Sequence, residues 1–407
     1  MKIPLAILYA AIVVLLGAAT IVGEYSGTDY ARVECYGATW MIVLWFFLVL
    51  LGIYHILRSR VRRFSFFLIH ASFVVILLGA FLTHLFGVQG TIHLRKGSFA
   101  CRFMPSASSA ECAGHTLPFA VRLDDFSVEL YSETGNVADY KSTITIADIS
   151  SHDVILQEEV AMNKIVVCRN WRFYQWSYDD DGMGATLIVN HDPCGITVTY
   201  IGYFLLFISI AWEAFRGCRH ILRRKRNEGG FTSFERAILV IAISLSSLII
   251  LFGLWFFITQ MTETNPWIAD MQPILNSPFL SLHVAIVSVA YLLLLLAFIV
   301  SIPGIITGRY LLLSRLMLYP SVACLAIGIF VGAIWANLSW GEYWSWDPKE
   351  SWALVSMMVY AVALHDRSIP WLRSARHYHL FIVLSFLVLL MTCFGVNMLL
   401  SGLHSYA

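Results

Sequence analysis

A short segment near the C-terminus concentrates side chains that could bind a flat, apolar ligand. Within thirteen residues it holds four tryptophans, a tyrosine and three carboxylates, between two long apolar runs. Indole rings are stable at a membrane surface, with one face in hydrocarbon and the N–H among headgroups, so the segment could be a simple anchor belt. A broad, flat aromatic surface with a few fixed polar points also suits haem. The residues concerned are Trp340, Gly341, Glu342, Tyr343, Trp344, Trp346, Asp347, Glu350 and Trp352.

The three carboxylates of this segment have a simpler interpretation. Glu342, Asp347 and Glu350 are predicted to cap the loop and the start of the following helix, where backbone N–H groups lack partners. Asp347 could instead accept a hydrogen bond from a ligand or from an indole N–H.

The composition is that of an integral membrane protein. Of 407 residues, 58% are hydrophobic and 13% are charged, and the mean hydropathy is +0.72. No soluble fold of this size needs so much apolar sequence. The formal net charge is +1, so the charge balance implies neither an acidic nor a nucleic-acid partner.

Apolar runs predict about nine transmembrane helices. The first, up to about Val22, is long for a secretory signal and lacks a convincing cleavage site, so it is predicted to remain as a helix. Arginine clusters within residues 58–63 and 216–226 place those loops on the cytoplasmic side, which puts the N-terminus inside and the C-terminus outside. The other runs are about 41–57, 66–86, 198–215, 237–258, 282–302, 316–336, 351–364 and 378–400.

Residues 88–197 contain no spanning run and are predicted to form a separate domain. Alternating patterns at residues 142–146 and 185–189, with Gly, Asp and Asn between them, are typical of strands. The predicted fold is therefore an all-α polytopic membrane protein with a small β-rich extracytoplasmic domain inserted between the third and fourth spans. The remaining predicted parts are a three-span membrane part at 1–87, a fourth span with a basic cytoplasmic linker at 198–230, and a membrane part at 231–407 whose external loop is 338–352.

The eight cysteines define no disulfide framework, because their spacing is irregular. In an oxidising compartment Cys101 could pair with Cys112, or Cys168 with Cys194.

Two histidines are predicted to lie at the same outer surface as the tryptophans. His283 opens the sixth span and His404 follows the ninth. Neutral imidazole is the usual axial ligand of haem iron, and two imidazoles on opposite faces give a six-coordinate centre. Either histidine alone is more simply structural. Together, with the tryptophans between them, they predict a haem site.

A second pair is predicted near the inner surface, where His70 lies near the inner end of the third span and His365 ends the eighth. Ionisable residues within spans are costly and are functional hypotheses by default, although contact with headgroups or a neighbouring helix is the alternative. Two pairs at two depths indicate a path for haem. His84 could line it, but packing near the outer interface is the simpler interpretation. The histidines beside inner arginines are predicted to face solvent or headgroups; they are His55, His220, His377 and His379.

The spacing Trp-Gly-x-x-Trp-x-Trp-Asp-x-x-Glu resembles the WWD signature of membrane haem-handling proteins in cytochrome c maturation. Residues 276–284 and 402–406, around the two outer histidines, resemble CcsA. Residues 70–79 and 173–178, with Asp192 and Pro193, resemble CcsB. The whole chain is thus similar to a fused CcsB–CcsA (ResB–ResC) cytochrome c synthase of the system II pathway.

The resemblance implies a function and a set of partners. Such proteins take reduced haem b from the cytoplasmic side through a membrane site, here His70 and His365. They present it between His283 and His404 against the WWD loop. The Cys-x-x-Cys-His segment of an apocytochrome c then engages, and its thiols add to the haem vinyl groups, so no side chain of the synthase acts as a nucleophile.

The resemblance also implies a setting. The chain would lie in the lipid of the bacterial cytoplasmic (inner) membrane, with residues 88–197 and the C-terminus in the periplasm. Its partners would include a thiol-disulfide reductant system for the apocytochrome, and no nucleic acid.

Two other functions stay open. One is a haem exporter or chaperone without synthase activity, against which the CcsB-like half argues. The other is a b-type electron-transfer cytochrome with permanent haems. An exposed tryptophan surface would argue against that reading, because permanent haem is usually buried between helices.

Overall fold

The computed structural model describes residues 3–58, 63–105, 115–131, 134–262 and 272–400. Within these ranges, eight helical segments are long and apolar enough to cross a membrane, so the chain is a polytopic helical membrane protein. Their bounds are α1 (Ile3–Ser26), α3 (Thr39–Arg58), α4 (Phe64–Phe86), α5 (Gly195–Asn227), α6 (Ser233–Met261), α7 (Pro278–Thr307), α8 (Leu311–Ser339), and the segment Ala375–Leu399 formed by α10 (Ala375–Leu390), a π turn and α11 (Val396–Leu399).

Two short helices complete this part. Helix α2 (Thr28–Ala31) follows α1 and continues into a π turn, Arg32–Tyr36. Helix α9 (Pro348–Leu364) matches the predicted eighth span but has 17 residues, fewer than the roughly 20 that a full crossing needs. The predicted count of nine spans is therefore not confirmed.

The predicted β-rich region is a single antiparallel sheet of eight strands, in the order β5-β4-β3-β2-β1-β8-β7-β6. Both alternating patterns lie in strands, since residues 142–146 belong to β4 and residues 185–189 to β8. The strands are β1 (Val88–Arg95), β2 (Phe99–Pro105), β3 (His115–Leu130), β4 (Val137–Ala147), β5 (Val154–Val160), β6 (Val166–Cys168), β7 (Trp171–Tyr178) and β8 (Gly184–His191).

The sheet curls over one core. Ile144 of β4 and Leu187 of β8 lie in different parts of the strand order, yet both are fully buried in the same apolar cluster. Cys168 of β6 and Cys194 are free thiols, so the possible disulfide between them is not formed. Cys112, the predicted partner of Cys101, lies outside the described residues.

Close backbone contact joins α4 to α5, the helices that flank the sheet. A side chain at Gly79 would place its Cβ 2.2 Å from Thr199 Oγ1, and one at Gly202 would lie 2.6 Å from Ile76 Cγ1. Small residues allow such contact between apolar helices. Because β1 follows α4 and α5 follows β8, the sheet lies at one end of the helices, called here the β-domain end.

Asp192 fixes the return from the sheet into the membrane helices. Its oxygens accept hydrogen bonds from the backbone N–H groups of Cys194, Gly195 and Ile196, at 3.1, 2.6 and 3.1 Å. They also accept the hydroxyl hydrogen of Thr83 at 2.6 Å. One carboxylate thus satisfies the first amides of α5 and ties them to α4.

Candidate functional site

The segment from Trp340 to Asp347, called here the Trp-rich loop, connects α8 to α9 at the β-domain end. Its backbone is left-handed at Gly341 (φ +86°) and at Trp346 (φ +60°). At Gly341 a Cβ would lie 2.8 Å from Cε2 of Tyr174 in β7. Glycine is required there both by the backbone angle and by the space available.

Asp347 and Glu350 cap the start of α9 and the loop before it, as predicted. Asp347 is the N-cap of α9, and its side chain accepts a hydrogen bond from the backbone N–H of Lys349 at 2.8 Å. Glu350 Oε2 accepts hydrogen bonds from the N–H and the hydroxyl of Ser345, at 2.9 and 3.2 Å. These bonds fold the C-terminal half of the loop onto the first turn of α9.

The prediction that Glu342 is a cap is wrong, because this side chain forms an ion pair. Its Oε1 lies 3.2 Å from Nη1 of Arg32, in the π turn after α2, and the Glu342 side chain is 18% exposed. Burial raises the pKa of Glu342, while Arg32 and a hydrogen bond with Gln89 oppose that rise. The ion pair ties the loop to the N-terminal helices.

The indole rings pack in different directions and do not form the flat, exposed surface that was predicted. Trp340 is 9% exposed and meets Trp335 edge-on, with ring centroids 4.9 Å apart. Trp346 stacks on Tyr36 at 4.4 Å and stands at 85° to Trp344. The rings therefore form a folded cluster wedged between α8 and the π turn.

Two indole N–H groups of the cluster have different surroundings. Trp352, in α9, donates its Nε1 hydrogen to Thr20 Oγ1 of α1 at 3.0 Å. Trp344 Nε1 is buried and has no hydrogen-bond partner among the described residues. A buried donor without a partner is costly, so Trp344 is suited to a ligand that brings an acceptor.

The β domain and α4 hold the other side of the loop. Asn190 of β8 donates its Nδ2 hydrogen to the carbonyl of Gly341 at 2.6 Å. Tyr343 donates its hydroxyl hydrogen to Thr83 of α4 at 3.1 Å, and Thr83 in turn bonds Asp192. Sequence analysis missed these anchors, because Asn190 and Thr83 lie far from the loop in the chain and carry no motif of their own.

Asn163, in the turn between β5 and β6, links the β domain to two helix ends. Its Oδ1 accepts the hydroxyl hydrogen of Ser339, the last residue of α8, at 2.6 Å. Its Nδ2 faces the carbonyls of Pro273, Ile274 and Asn276, at 3.2, 3.2 and 3.3 Å, just before α7. One amide therefore fixes the start of α7 and the end of α8 relative to each other. No sequence signal singled it out.

His283 lies in the second turn of α7 and packs against α8. Its Nδ1 lies 2.8 Å from the carbonyl of Gly328, which assigns the hydrogen to Nδ1 and the lone pair to Nε2. A Cβ on Gly332 would lie 2.6 Å from the same ring. Since Gly332 is eight residues before Trp340, this contact lies about 12 Å along α8 from the loop. The predicted partner His404 lies outside the described residues.

His70 of α4 and His365 at the end of α9 lie together at the opposite end of the bundle. Their ring centroids are 6.1 Å apart, with 84° between the planes. Each Nδ1 bonds a carbonyl of its own helix, Phe66 at 2.7 Å and Ala361 at 2.8 Å. Both hydrogens are thereby on Nδ1, and both Nε2 atoms keep a lone pair suited to a metal.

The distance between the two ring centroids is compatible with one metal ion bound between two imidazoles. An imidazole–metal bond is about 2 Å long and the ring nitrogen lies about 1 Å from the ring centre, so two trans rings have centroids about 6 Å apart. The 6.1 Å between His70 and His365 agrees with that value.

The prediction for one other histidine is wrong. His379 was expected to face solvent or headgroups, but it is fully buried. Its Nε2 donates to the carbonyl of Arg309 at 2.8 Å and its Nδ1 lies 3.1 Å from Ser301 Oγ. Both nitrogens have protein partners, so His379 is a packing residue. His84, by contrast, is exposed on α4.

Comparison with known families divides the chain into two matched regions. The family described as Cytochrome C assembly protein matches residues 230–404, which include α6 to α11 and the Trp-rich loop. The ResB-like family matches residues 57–199, which include α4 and the β domain.

Curated relatives each match part of the chain. Protein NrfI of Wolinella succinogenes is 36% identical over 190 residues, which is 40% of this chain and 20% of NrfI. Cytochrome c biogenesis protein CcsA of Chlamydomonas reinhardtii is 33% identical over 162 residues, 36% of this chain and 44% of that protein. CcsA of Guizotia abyssinica is 50% identical over 82 residues, 20% of this chain and 25% of that protein. The matches thus span less than half the length of these relatives.

Proposed function

We propose that this chain, which joins a region matched by the ResB-like family to a region matched by the Cytochrome C assembly protein family, moves reduced haem b across the membrane and attaches it to apocytochrome c. Haem is here the cargo and the substrate. The observation that carries the proposal is the pair formed by His70 and His365, whose spacing and tautomers suit one iron between two imidazoles.

The inner site would hold haem by its iron. Two neutral imidazoles on opposite faces make iron six-coordinate and keep oxygen from it. The carbonyls of Phe66 and Ala361 fix both rings, so neither has to reorient when haem arrives. This site would lie near the cytoplasmic surface, because arginines flank the start of α4 and the positive-inside rule puts such loops inside.

The outer site would combine His283 and His404 with the Trp-rich loop. Along α4, the sixteen residues from His70 to Phe86 span about 24 Å, which is the distance that haem would have to travel towards the β-domain end. Trp344 supports a role for the loop, because its buried N–H has no described partner and could bond an acceptor at the polar edge of haem. Trp340, Trp346 and Trp352 would shape the apolar wall, and Gly341 and Asp347 would set its backbone.

The attachment reaction needs orientation more than side-chain chemistry. Each substrate thiol adds across one vinyl C=C bond, so that sulfur bonds to one carbon and the thiol hydrogen ends on the other. No net oxidation or reduction occurs, but both cysteines must arrive as thiols, which requires a separate thiol-disulfide reductant. The chain would contribute proximity, by holding haem with its vinyl groups towards the apocytochrome segment.

The packing of the indoles bears on the competing functions. An exposed tryptophan surface would have argued against a permanent b-type haem. The rings instead pack against Trp335, Tyr36 and Thr20, so this argument does not apply. The preference for a synthase therefore rests on the ResB-like half and on the histidine pair, and an experiment must separate attachment from simple binding.

The direct test is co-expression with an apocytochrome c bearing Cys-x-x-Cys-His, in a bacterial host without its own maturation system. Haem staining of the denatured substrate then reports covalent attachment. We expect staining with the wild-type chain, and its loss with His70→Ala, His283→Ala or His404→Ala. His84→Ala is the matched control, because His84 is an exposed histidine on the same helix as His70.

Two results would overturn the proposal in different ways. If the purified chain carries haem while the substrate gains none, the chain exports or keeps haem and is no synthase. If His70→Ala and His365→Ala leave attachment unchanged, haem does not pass through the inner pair, although the synthase activity stands.

A further inference from the structure

A groove of about 550 Å³ opens where the β domain meets the membrane helices. Its walls come from β7, the first three turns of α5 and the last turns of α8. The wall is mostly apolar, with a few polar groups at one end. The residues that matter are Arg172, Tyr200, Ile201, Phe204, Ile334 and Asn337.

Arg172 brings an uncompensated positive charge to this groove. Its Nη1 is buried and has no hydrogen-bond partner among residues that the structure describes. None of the ion pairs found in those ranges includes Arg172. Asp192, which follows β8, directs its oxygens to Thr83 and to the first amides of α5. A buried guanidinium N–H without an acceptor is costly, and an anionic oxygen is the acceptor that a guanidinium bonds most strongly.

Two further polar groups lie beside Arg172. Asn337 donates its Nδ2 hydrogen to the Tyr200 oxygen at 2.8 Å, which leaves the Tyr200 hydroxyl hydrogen for another acceptor. Asn337 Oδ1 is buried and, in the described part of the chain, accepts no hydrogen bond. The groove therefore offers two donors suited to an anion and one acceptor suited to a hydroxyl.

The other end of the groove faces hydrocarbon. Ile201 and Phe204 project from the spanning helix α5 and are 52% and 63% exposed. An occupant must then be amphipathic, with a negative, hydroxylated head at the level of the β domain and an apolar chain along α5. Arg172 of β7 lines the groove beside the start of the spanning helix α5, where a lipid headgroup would lie.

We propose that this groove binds one anionic phospholipid with a hydroxylated headgroup. The phosphate accepts from Arg172 and from the Tyr200 hydroxyl, a headgroup hydroxyl donates to Asn337 Oδ1, and an acyl chain lies along Ile201 and Phe204. Since Asn337 is three residues before Trp340, the bound lipid also braces the end of α8 from which the Trp-rich loop begins. The site is independent of haem.

Native mass spectrometry of the full chain in mild detergent tests the proposal. The chain is titrated with dioleoyl phosphatidylglycerol or dioleoyl phosphatidylcholine. We expect one retained phosphatidylglycerol, bound about tenfold more tightly than phosphatidylcholine, and we expect Arg172→Gln to remove that preference. Arg102→Gln, at an exposed arginine of β2, is the matched control and should change nothing.

A second variant keeps the test valid if Arg172→Gln folds poorly. Ile201→Trp retains the charge and fills the groove from a lipid-exposed position, so we expect it to weaken phosphatidylglycerol binding without unfolding the chain. Equal retention of phosphatidylglycerol by the wild type and a folded Arg172→Gln variant would overturn the proposal. So would equal affinity for both lipids, or a retained mass equal to haem that Arg172→Gln removes.

Discussion

Asn163 gives the sharpest test of how the β domain positions the two helix ends. Its side chain accepts one hydrogen bond from Ser339 and faces three carbonyls before α7. An amide NH₂ has two hydrogens, so Asn163 makes about three full hydrogen bonds in all. Asn163→Asp keeps the acceptor for Ser339 and tolerates the left-handed φ of +59°. It replaces both donors by a carboxylate oxygen that faces carbonyl oxygens.

The expected cost follows from those bonds. Each lost hydrogen bond contributes about 1 kcal/mol, so two lost donors cost about 2 kcal/mol before any repulsion. That corresponds to a roughly 30-fold larger population in which the link is open. The free energy of global unfolding would change little, because these hydrogen bonds hold together only two helix ends and not the whole bundle.

Hydrogen exchange is the appropriate assay for a local opening. We expect amides of residues 274–277 and 339–347 to exchange faster by about the same factor in Asn163→Asp, while those of β4 and β8 keep their rates. Asn170→Asp is the matched control, because Asn170 is an exposed asparagine of the same domain with a left-handed φ of +68°. If exchange near Ser339 rises less than about threefold, Asn163 does not hold the joint and the reasoning is refuted.

Three further changes test the site. Gly341→Ala should destabilise the folded Trp-rich loop by at least about 1 kcal/mol, because alanine disfavours the positive φ and its Cβ would strain against Tyr174. Limited proteolysis within the loop should then be faster, and unchanged cleavage would contradict this. Because the pKa of Glu342 is raised in the folded chain, the folded state binds more protons and wild-type stability should fall as pH rises from the ordinary glutamate pKa to the raised one. Glu342→Gln should flatten that slope in a thermal unfolding series, and parallel curves would show that another group titrates. His365→Ala should leave haem at the inner site with one axial histidine. The absorption spectrum should then be five-coordinate, and added imidazole should restore the six-coordinate spectrum. An unchanged six-coordinate spectrum would mean that His365 is no ligand.

The sequence predicts the parts of this fold that depend on local pattern. Long apolar runs predicted the spanning helices and alternation predicted β4 and β8, because each signal is contained within one element. Capping by Asp347 was predictable for the same reason, since the side chain bonds an amide two residues away.

What sequence could not predict depends on residues distant in the chain. The partner of Glu342 is Arg32, 310 residues earlier, and either residue alone reads as a surface charge. His379 adjoins arginines in sequence, yet Ser301 and the carbonyl of Arg309 surround it in the bundle. The indoles were expected to lie in one plane because spacing gives no information on ring orientation. Tertiary packing decides each of these cases.

The anchors of the Trp-rich loop suggest why the two family regions are joined. The loop belongs to the cytochrome C assembly region, but Thr83, Tyr174 and Asn190, which hold it, belong to the ResB-like region. Asn163 adds a fourth link from the same region to the ends of α7 and α8. Each contact contributes little alone, and covalent linkage raises the effective concentration at which they form together. In the proposed attachment reaction, a loop held from the second region would keep its geometry while haem and a substrate peptide exchange beside it, which is the preorganisation that attachment without a catalytic side chain requires.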